Sequence, residues 1–496
     1  MKIAGLDIGT TGCKLTVFDE KGICLDRAYC DYPVARGKSE HEVNVGAIRE
    51  GVMTVIRTLS GKHPDISGIG VTSFGETFVI TDEKGEPLLP AMLYTDPRGG
   101  EECALLEKKL GEAEIARISG LKPHEMYSIS KIMWVKEHHP ETFRKAKHIF
   151  LIQDYIVFLL TGRAQIDYSL AARTMAFDIR KLSWSDRILA AAGVDASLFS
   201  KPVPIGTAAG TVTAEISEKT GLSKDTLIVT VSHDQMSAAV GSGAFDSDQA
   251  VDGAGTVECI TSLLDEVPGI ETVLHGGYAI APYVIPGKYV CYAFSYTGGA
   301  LVQWCVDTLG KQEKEQAQRE KRKVNEMLER TEGTDGPTGL LVLPHFAGAG
   351  TPYMDTGSKG AVVGLTVAST FQDIYLACME GVAYEMKLNV EKLKEAGIGF
   401  KMLRATGGGA NSKCWMQMKA DILGIPVQAL AASDAGTVGS AMLTGIALGC
   451  FSNLEDAAAH MVRSKEVYVP RQEQRERYRK VYERYRRLYQ AIRPLV

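Results

Sequence analysis

The chain has 496 residues, 45% of them hydrophobic, which is more than one ordinary core takes up and suits two domains of roughly 200 to 250 residues. Its 55 lysines and arginines against 60 aspartates and glutamates leave a formal charge of −5, with no basic tract that would make a nucleic acid the main partner. No apolar run reaches the roughly 18 to 20 residues of a membrane span, no signal-peptide pattern opens the chain, and the ten cysteines show neither C-x-x-C nor zinc spacing, so a cytoplasmic chain with reduced thiols and no membrane partner is expected.

Short apolar runs at 2–8, 13–19 and 23–29, separated by turn residues, predict an antiparallel strand set. Its first turn carries Asp7-Ile8-Gly9-Thr10-Thr11-Gly12-Cys13-Lys14. Glycine lets backbone N–H groups approach phosphate oxygens, the two threonine hydroxyls add donors, and Asp7 at the strand end suits a hydrated Mg²⁺. Cys13 reads as a small buried residue. Residues 44–60 switch to helical spacing, and a strand at 66–72 leads into Ser73-Phe74-Gly75-Glu76. Strands at 77–81 and 88–94 flank an Asp82-Glu83-Lys84-Gly85 turn. From about 101 to 200 the chain reads as mostly helical, with stops at Gly120, Pro140, Gly162 and Gly193.

The apolar strand Leu227–Val231 runs into His233-Asp234-Gln235 and a helix rich in small residues, which ends at Gly241-Ser242-Gly243. There the pattern restarts, giving two domains, 1–245 and 246–496. Aligning Gly9-Thr10 with Gly255-Thr256 brings Phe18-Asp19-Glu20 onto Leu264-Asp265-Glu266, so a second hairpin carries the same Gly-Thr start and the same acidic turn. Two such hairpins facing one another can close on one nucleoside triphosphate. Gly298-Gly299, between a strand and an apolar helix, suits backbone approach to that nucleotide. Lys311–Arg330 reads as one charged, solvated helix. A strand at 400–405 leads through Gly407-Gly408-Gly409-Ala410-Asn411 into a helix, and Tyr478, Tyr482, Tyr485 and Tyr489 place one aromatic stripe of the C-terminal helix against the body.

Two near-duplicated halves around a nucleotide resemble the actin, hexokinase and heat-shock-chaperone ATPase architecture, an α/β fold of two ribonuclease H-like domains with a catalytic cleft between them. Within it the chain resembles the FGGY family of carbohydrate kinases. The first family signature is matched by Met126-Tyr127-Ser128-Ile129-Ser130-Lys131 through His138, and the second by Gly360-Ala361-Val362-Val363-Gly364-Leu365 followed, seven residues on, by Asp373 through Gly381. The hairpin at Asp7, Tyr94-Thr95-Asp96-Pro97-Arg98, His233-Asp234-Gln235, Gly255-Thr256 and the glycine run at 407–409 extend the likeness over nearly the whole chain.

The resemblance implies ATP-dependent phosphorylation of a sugar or polyol hydroxyl, with Mg²⁺. Asp234 takes the place of the family's catalytic base, although an aspartate before a helix also serves as an N-cap. Thr10, Thr11, Lys14, Gly255, Thr256 and Gly299 fall to the phosphates, Lys14 having an exposed hairpin edge as its other reading. Gly408, Gly409 and Asn411 fall to adenosine, and Asp7 to the metal. Glu76, Asp96, Arg98, His233 and Gln235 are the sugar-side candidates. Phe74-Gly75-Glu76-Thr77 stands where glycerol kinases of the family carry Gln-Arg-Glu-Thr and xylulokinases Gln-Met-His-Gly, and Tyr94 stands for the family's Trp. Phe74-Gly75 instead resembles the deoxysugar ketose kinases. The acceptor is therefore expected to be a ketose such as a pentulose, with a polyol or a deoxyhexulose behind it. A homodimer accords with the resemblance. A non-catalytic sensor and a sugar-independent ATPase are the competing functions; the first predicts a degraded Asp234 or phosphate loop, and the second leaves both signatures unexplained.

Overall fold

The computed structural model describes residues 1–37, 40–329, 336–431 and 434–496. Two mixed sheets organise it. The strands of the first are β1 (Lys2–Ile8), β2 (Gly12–Asp19), β3 (Cys24–Asp31), β4 (Ile66–Ser73), β5 (Thr207–Thr211) and β6 (Leu227–His233), in the order β5-β6-β4-β1-β2-β3. Those of the second are β7 (Gln249–Ala254), β8 (Glu258–Leu264), β9 (Ala279–Pro282), β10 (Tyr289–Ser295), β11 (Met402–Thr406), β12 (Val427–Leu430) and β13 (Ser464–Tyr468), in the order β9-β10-β8-β7-β11-β12-β13.

The sheets are two copies of one plan. In each, a hairpin (β1–β2, β7–β8) gains a third antiparallel strand on one side, two parallel strands on the other, and an antiparallel strand at the far edge. Central strands β1 and β4 are buried nearly throughout, as expected of strands covered on both faces, whereas edge strand β3 alternates exposed and half-buried residues.

Helix α1 (Val45–Ser60) covers one face of the first sheet, its stripe of Ile48, Val52, Val55, Ile56 and Leu59 buried. The other face is covered by a helix from the far end of the chain. Among the remaining helices, α2 (Tyr168–Ala172) follows the mostly helical region, α3 (Asp234–Gly241) follows β6, α4 (Gly299–Leu309) follows β10, α5 (Phe371–Glu395) spans the second signature, α6 (Lys413–Leu423) follows β11, and α7 (Ala435–Ala447) follows β12. It is α7 that lies on β1 and β4. It also crosses α3 with the backbones touching: a Cβ on Gly439 would stand 1.9 Å from the Ser237 carbonyl oxygen, and one on Gly241 2.0 Å from that of Ala435. The crossing is pinned by Ser237 Oγ donating to the Gly436 carbonyl, and α7 is tied to β4 by Ser440 Oγ donating to the Gly70 carbonyl, both at 2.7 Å. α3 in turn touches β7 and β8, so the halves exchange helices across the boundary.

Gly120, Gly162 and Gly193 end helices with positive φ, as expected of the stops, and Pro140 opens a one-turn helix, Pro140–Phe143. Other expectations are corrected. The strand at 88–94 shrinks to Ala91–Met92, because Pro87 and Pro90 lack the N–H a ladder needs. The charged helix breaks into Lys311–Glu320 and Val324–Leu328 at Lys321, whose φ is +53°, and Arg330 lies outside the described residues. A short turn, Gly408–Asn411, separates β11 from α6, which Ser412 caps. The last tyrosine leaves the stripe: α8 (Gln472–Tyr485) buries Tyr478, Tyr482 and Tyr485, while Tyr489 lies on the next helix and stacks on Tyr353 at 3.9 Å. Among the described residues no helix is long and apolar enough to cross a membrane, and all ten cysteines are free, with Cys13 buried.

Candidate active site

Both hairpin turns point into one cavity of about 370 Å³ between the sheets. Thr10 and Thr11 come to its wall from β1–β2 and Thr256 from β7–β8, while Glu76, His233, Asp234 and Gln235 come from the loop ends of β4 and β6. The first turn closes through Gly9 N–H donating to the Gly12 carbonyl at 2.9 Å, and Tyr32 donates its hydroxyl to the Gly9 carbonyl. The second turn is tied to the start of α4, since the Gly299 and Gly298 amides donate to the Gly255 and Thr256 carbonyls at 2.8 and 2.9 Å.

Asp234 is the first residue of α3, with His233 at the N-cap position. Oδ1 accepts from the Gln235 amide at 2.6 Å and stands 3.2 Å from His233 Nε2. The side chain keeps 27% exposure, which leaves it reachable from the cavity. Burial and the nearby Asp7 charge push the Asp234 carboxyl up to about 8, and burial, with Arg173 beside it, holds His233 well below the usual imidazole range. A neutral imidazole therefore faces a carboxyl poised near neutrality, which is the condition a general base needs.

Behind the first hairpin, Lys14 bridges two carboxylates, its Nζ lying 3.2 Å from Asp7 Oδ2 and 2.8 Å from Asp434 Oδ1 at the head of α7. This corrects the exposed-edge reading of Lys14. Burial raises the Asp7 carboxyl against the pull of Lys14, and Asp434 raises it further. One lysine facing both Asp7 and Asp434 leaves an excess of carboxylates that suits a divalent cation held partly by phosphate oxygens and water. Among the described residues no three His, Cys, Asp or Glu side chains are grouped to hold a metal unaided.

Asp96 and Arg98 do not reach the cavity wall. Arg98 folds back onto Asp96, Nε donating to Oδ1 at 2.9 Å and Nη2 to Oδ2 at 2.7 Å, and its Nη2 also reaches Glu42 at 2.6 Å, while the His41 amide donates to Asp96 Oδ2 at 2.8 Å. Burial would raise the Asp96 carboxyl, but these donors hold it below the usual range. The clasp is saturated, and it anchors the segment that delivers Tyr94 to the cavity. Gly408 and Gly409 form the turn beyond β11, where Asn411 donates to the Gly408 carbonyl at 3.3 Å and accepts from Lys465 at 3.1 Å. Asn411 lines a separate cavity of about 720 Å³ over α5 and α6.

Several wall residues had no reading in the sequence. Arg173 just past α2, Arg36, and Tyr292, Phe294 and Tyr296 at the end of β10 all line the cavity. For Arg173 a signal existed: a charged side chain within the run Leu170–Met175 must find a partner when buried.

The model of the FGGY family of carbohydrate kinases, N-terminal domain, matches residues 2–241, and that of the family's C-terminal domain matches residues 254–448. A xylulose kinase from Bacillus subtilis is 26% identical over 487 residues, covering 97% of this chain and 95% of the relative. A glycerol kinase from Bacillus licheniformis is 29% identical over 490 residues, covering 96% of each. The crystal structure of a gluconate kinase from Lactobacillus acidophilus, 23% identical, superposes with a TM-score of 0.87 over 99% of this chain and 98% of its own, which is a likeness of fold. Two sheets built on one plan, hairpin turns facing one cavity, and family models that match both halves together establish that the chain is a carbohydrate kinase of the FGGY family with the actin-like ATPase fold.

Proposed function

We propose that the enzyme transfers the γ-phosphoryl group of ATP to a hydroxyl of a ketose such as a pentulose, with Asp234 as general base. The observation that carries this reading is Asp234 at a cavity walled on one side by Glu76 and on the others by Thr10, Thr11 and Thr256 from the two hairpins. In the transfer, the acceptor hydroxyl gives its proton to Asp234, its oxygen bonds to the γ-phosphorus, and the bond from that phosphorus to the β–γ bridging oxygen breaks to release ADP. His233 and the Gln235 amide hold the carboxylate toward the cavity.

Thr10, Thr11 and Thr256 would present their hydroxyls to the phosphates, Gly255 and Gly299 would shape the second turn through the bond between them, and Lys14 would fix the pocket from behind. Gly408, Gly409 and Asn411 belong to the adenosine side. Mg²⁺ would be held by Asp7, directly or through water, and would supply charge neutralisation on the phosphates. Glu76, His233 and Gln235 face the acceptor, and Asp96 and Arg98 act by holding Tyr94. The lobes, 1–245 and 246–496, close about the α3–α7 crossing and exclude water. The cytoplasm is the compartment this reading expects.

A cavity of about 370 Å³ supports a five-carbon acceptor over a smaller one. A polyol is the second reading, favoured by the 29% identity with a glycerol kinase. A coupled ADP-release assay with Mg·ATP across ketoses, polyols and aldoses tests both. Turnover with a ketose supports the first, turnover confined to polyols selects the second, and ATP hydrolysis indifferent to every acceptor refutes kinase chemistry at this cavity.

A further inference from the structure

Gly75 lies at the floor of the cavity, and the space a side chain would fill there is taken. A Cβ at Gly75 would stand 3.1 Å from Arg173 Cγ and 3.1 Å from the His233 ring, so the Arg173 stem and the His233 ring meet over the bare backbone. The arginine is 7% exposed and its guanidinium carbon lies over two aromatic rings, 5.3 Å from the centre of Tyr127 and 5.8 Å from that of Tyr292. Its partner is Glu76, which is 4% exposed and has the left-handed φ of +62° that a non-glycine residue adopts only when its surroundings impose it. Ser128 Oγ, donating to the Glu76 carbonyl at 2.7 Å, helps to impose it.

The pair is asymmetric. Arg173 Nε donates to Glu76 Oε1 at 2.6 Å, and Nη2 goes to the same oxygen. Among the described residues Nη1 has no acceptor and Glu76 Oε2 no donor, and neither atom is sealed from solvent. A guanidinium and a carboxylate that share one oxygen thus leave one donor and one acceptor uncommitted on two residues that line the cavity.

We propose that Arg173 and Glu76 are a specificity-determining couple that reads the α-hydroxyketone of a neutral acceptor, Arg173 Nη1 donating to the carbonyl oxygen and Glu76 Oε2 accepting from the neighbouring hydroxyl. This rests on the kinase reading above and narrows it. A carboxylate at the same place would satisfy Nη1 but meet Oε2 as a like charge, so a sugar acid is rejected. An alditol keeps the hydroxyl and loses the carbonyl, and it is accepted less well. Gly75 is required because any side chain there would displace the arginine stem.

The test measures kcat/KM for D-xylulose, D-ribulose, xylitol, glycerol and gluconate in wild type, Arg173→Met, Arg173→Lys and Glu76→Gln, with ADP affinity taken by calorimetry on each protein. Wild type is expected to favour its better ketose over both xylitol and gluconate by about 100-fold. Arg173→Met lowers the ketose value by about 100-fold and brings the ketose-to-xylitol ratio close to one, while ADP affinity stays within about twofold; Arg173→Lys recovers part of the ratio. Glu76→Gln narrows the gap between ketose and gluconate. If the Arg173 variants lower every acceptor by one common factor, or gluconate is the best wild-type acceptor, the couple does not read the acceptor, although the kinase reading survives. Wild type that turns over none of the five compounds overturns the ketose and polyol readings and this inference together.

Discussion

His233 Nε2 stands 3.2 Å from Asp234 Oδ1, and at neutral pH neither partner of this contact is charged in the nucleotide-free protein. Burial keeps the imidazole neutral, and burial with the Asp7 charge keeps the proton on Asp234 up to about 8. The contact is therefore not an ion pair. Infrared difference spectra of wild type against Asp234→Asn are expected to show a carboxylic-acid C=O band that persists at about pH 6 and vanishes by about pH 10. A band already gone at about pH 5 would mean an ordinary carboxylate, and the poised base would fall with it.

The same shift has a consequence for stability. The folded carboxyl holds its proton to about 8, whereas in the unfolded chain it releases it near the ordinary aspartate value of about 3.9. Between those values the native state binds more protons, so stability falls as pH rises through the window, and the whole of this contribution is lost above it. Asp234→Asn removes the loss. The variant is expected to melt at least ~3 °C above wild type at about pH 9 and level with it at about pH 4, while turnover drops by about 10²- to 10⁴-fold and nucleotide affinity persists. A variant that retains more than about a tenth of the wild-type rate removes Asp234 from the role of base.

What could be read from the sequence is what local patterning controls. The two Gly-Thr hairpins, Asp234 at a strand-to-helix junction, and helix ends at Gly120, Gly162 and Gly193 each follow from a few neighbouring residues. What could not be read depends on partners far along the chain. Arg173 meets Glu76 across 97 positions, and α7 lies on β1 although more than 400 residues separate Gly5 from Thr437, whose carbonyl oxygen a Cβ on Gly5 would approach to 2.1 Å. The clasp of Asp96 and Arg98 went unread for the opposite reason: two positions apart in a turn, they bind one another.

The α3–α7 crossing is expected to tolerate no side chain. Gly439→Ala places a Cβ against the Ser237 carbonyl oxygen, a backbone atom that cannot swing aside, and should cost about 3 kcal/mol in denaturant unfolding. Gly100→Ala, with nothing within 4 Å of the added Cβ, serves as the control and should be neutral or stabilising by up to ~1 kcal/mol. In solution scattering, an acceptor that is turned over plus a non-hydrolysable ATP analogue should shrink the radius of gyration of wild type. Equal stability of the two variants would show that the helices separate more readily than their contact distances allow.

Lys419 of α6, 1% exposed, lies between Asp252 of β7 and Glu258 of β8, the two strands that carry the Gly255-Thr256 turn. Nζ donates to Asp252 Oδ2 at 2.6 Å and to Glu258 Oε1, while among the described residues Asp252 Oδ1 and Glu258 Oε2 have no hydrogen-bond partner. Burial, then the Asp252 charge, lifts the Glu258 carboxyl well above its usual range against the pull of Lys419. Lys419→Met leaves a buried aspartate without its cation and should cost about 3 to 5 kcal/mol. Because α6 follows the Gly408–Asn411 turn, the loosening reaches both nucleotide segments, and ADP affinity should fall while the ratio between acceptors holds. Lys419→Met/Asp252→Asn should recover most of the loss, since removing both charges leaves neither partner of the pair stranded. A double variant no more stable than the single one would place the loss in the packing of the lysine stem against Trp415, whose ring lies 4.8 Å from Nζ, and not in its charge.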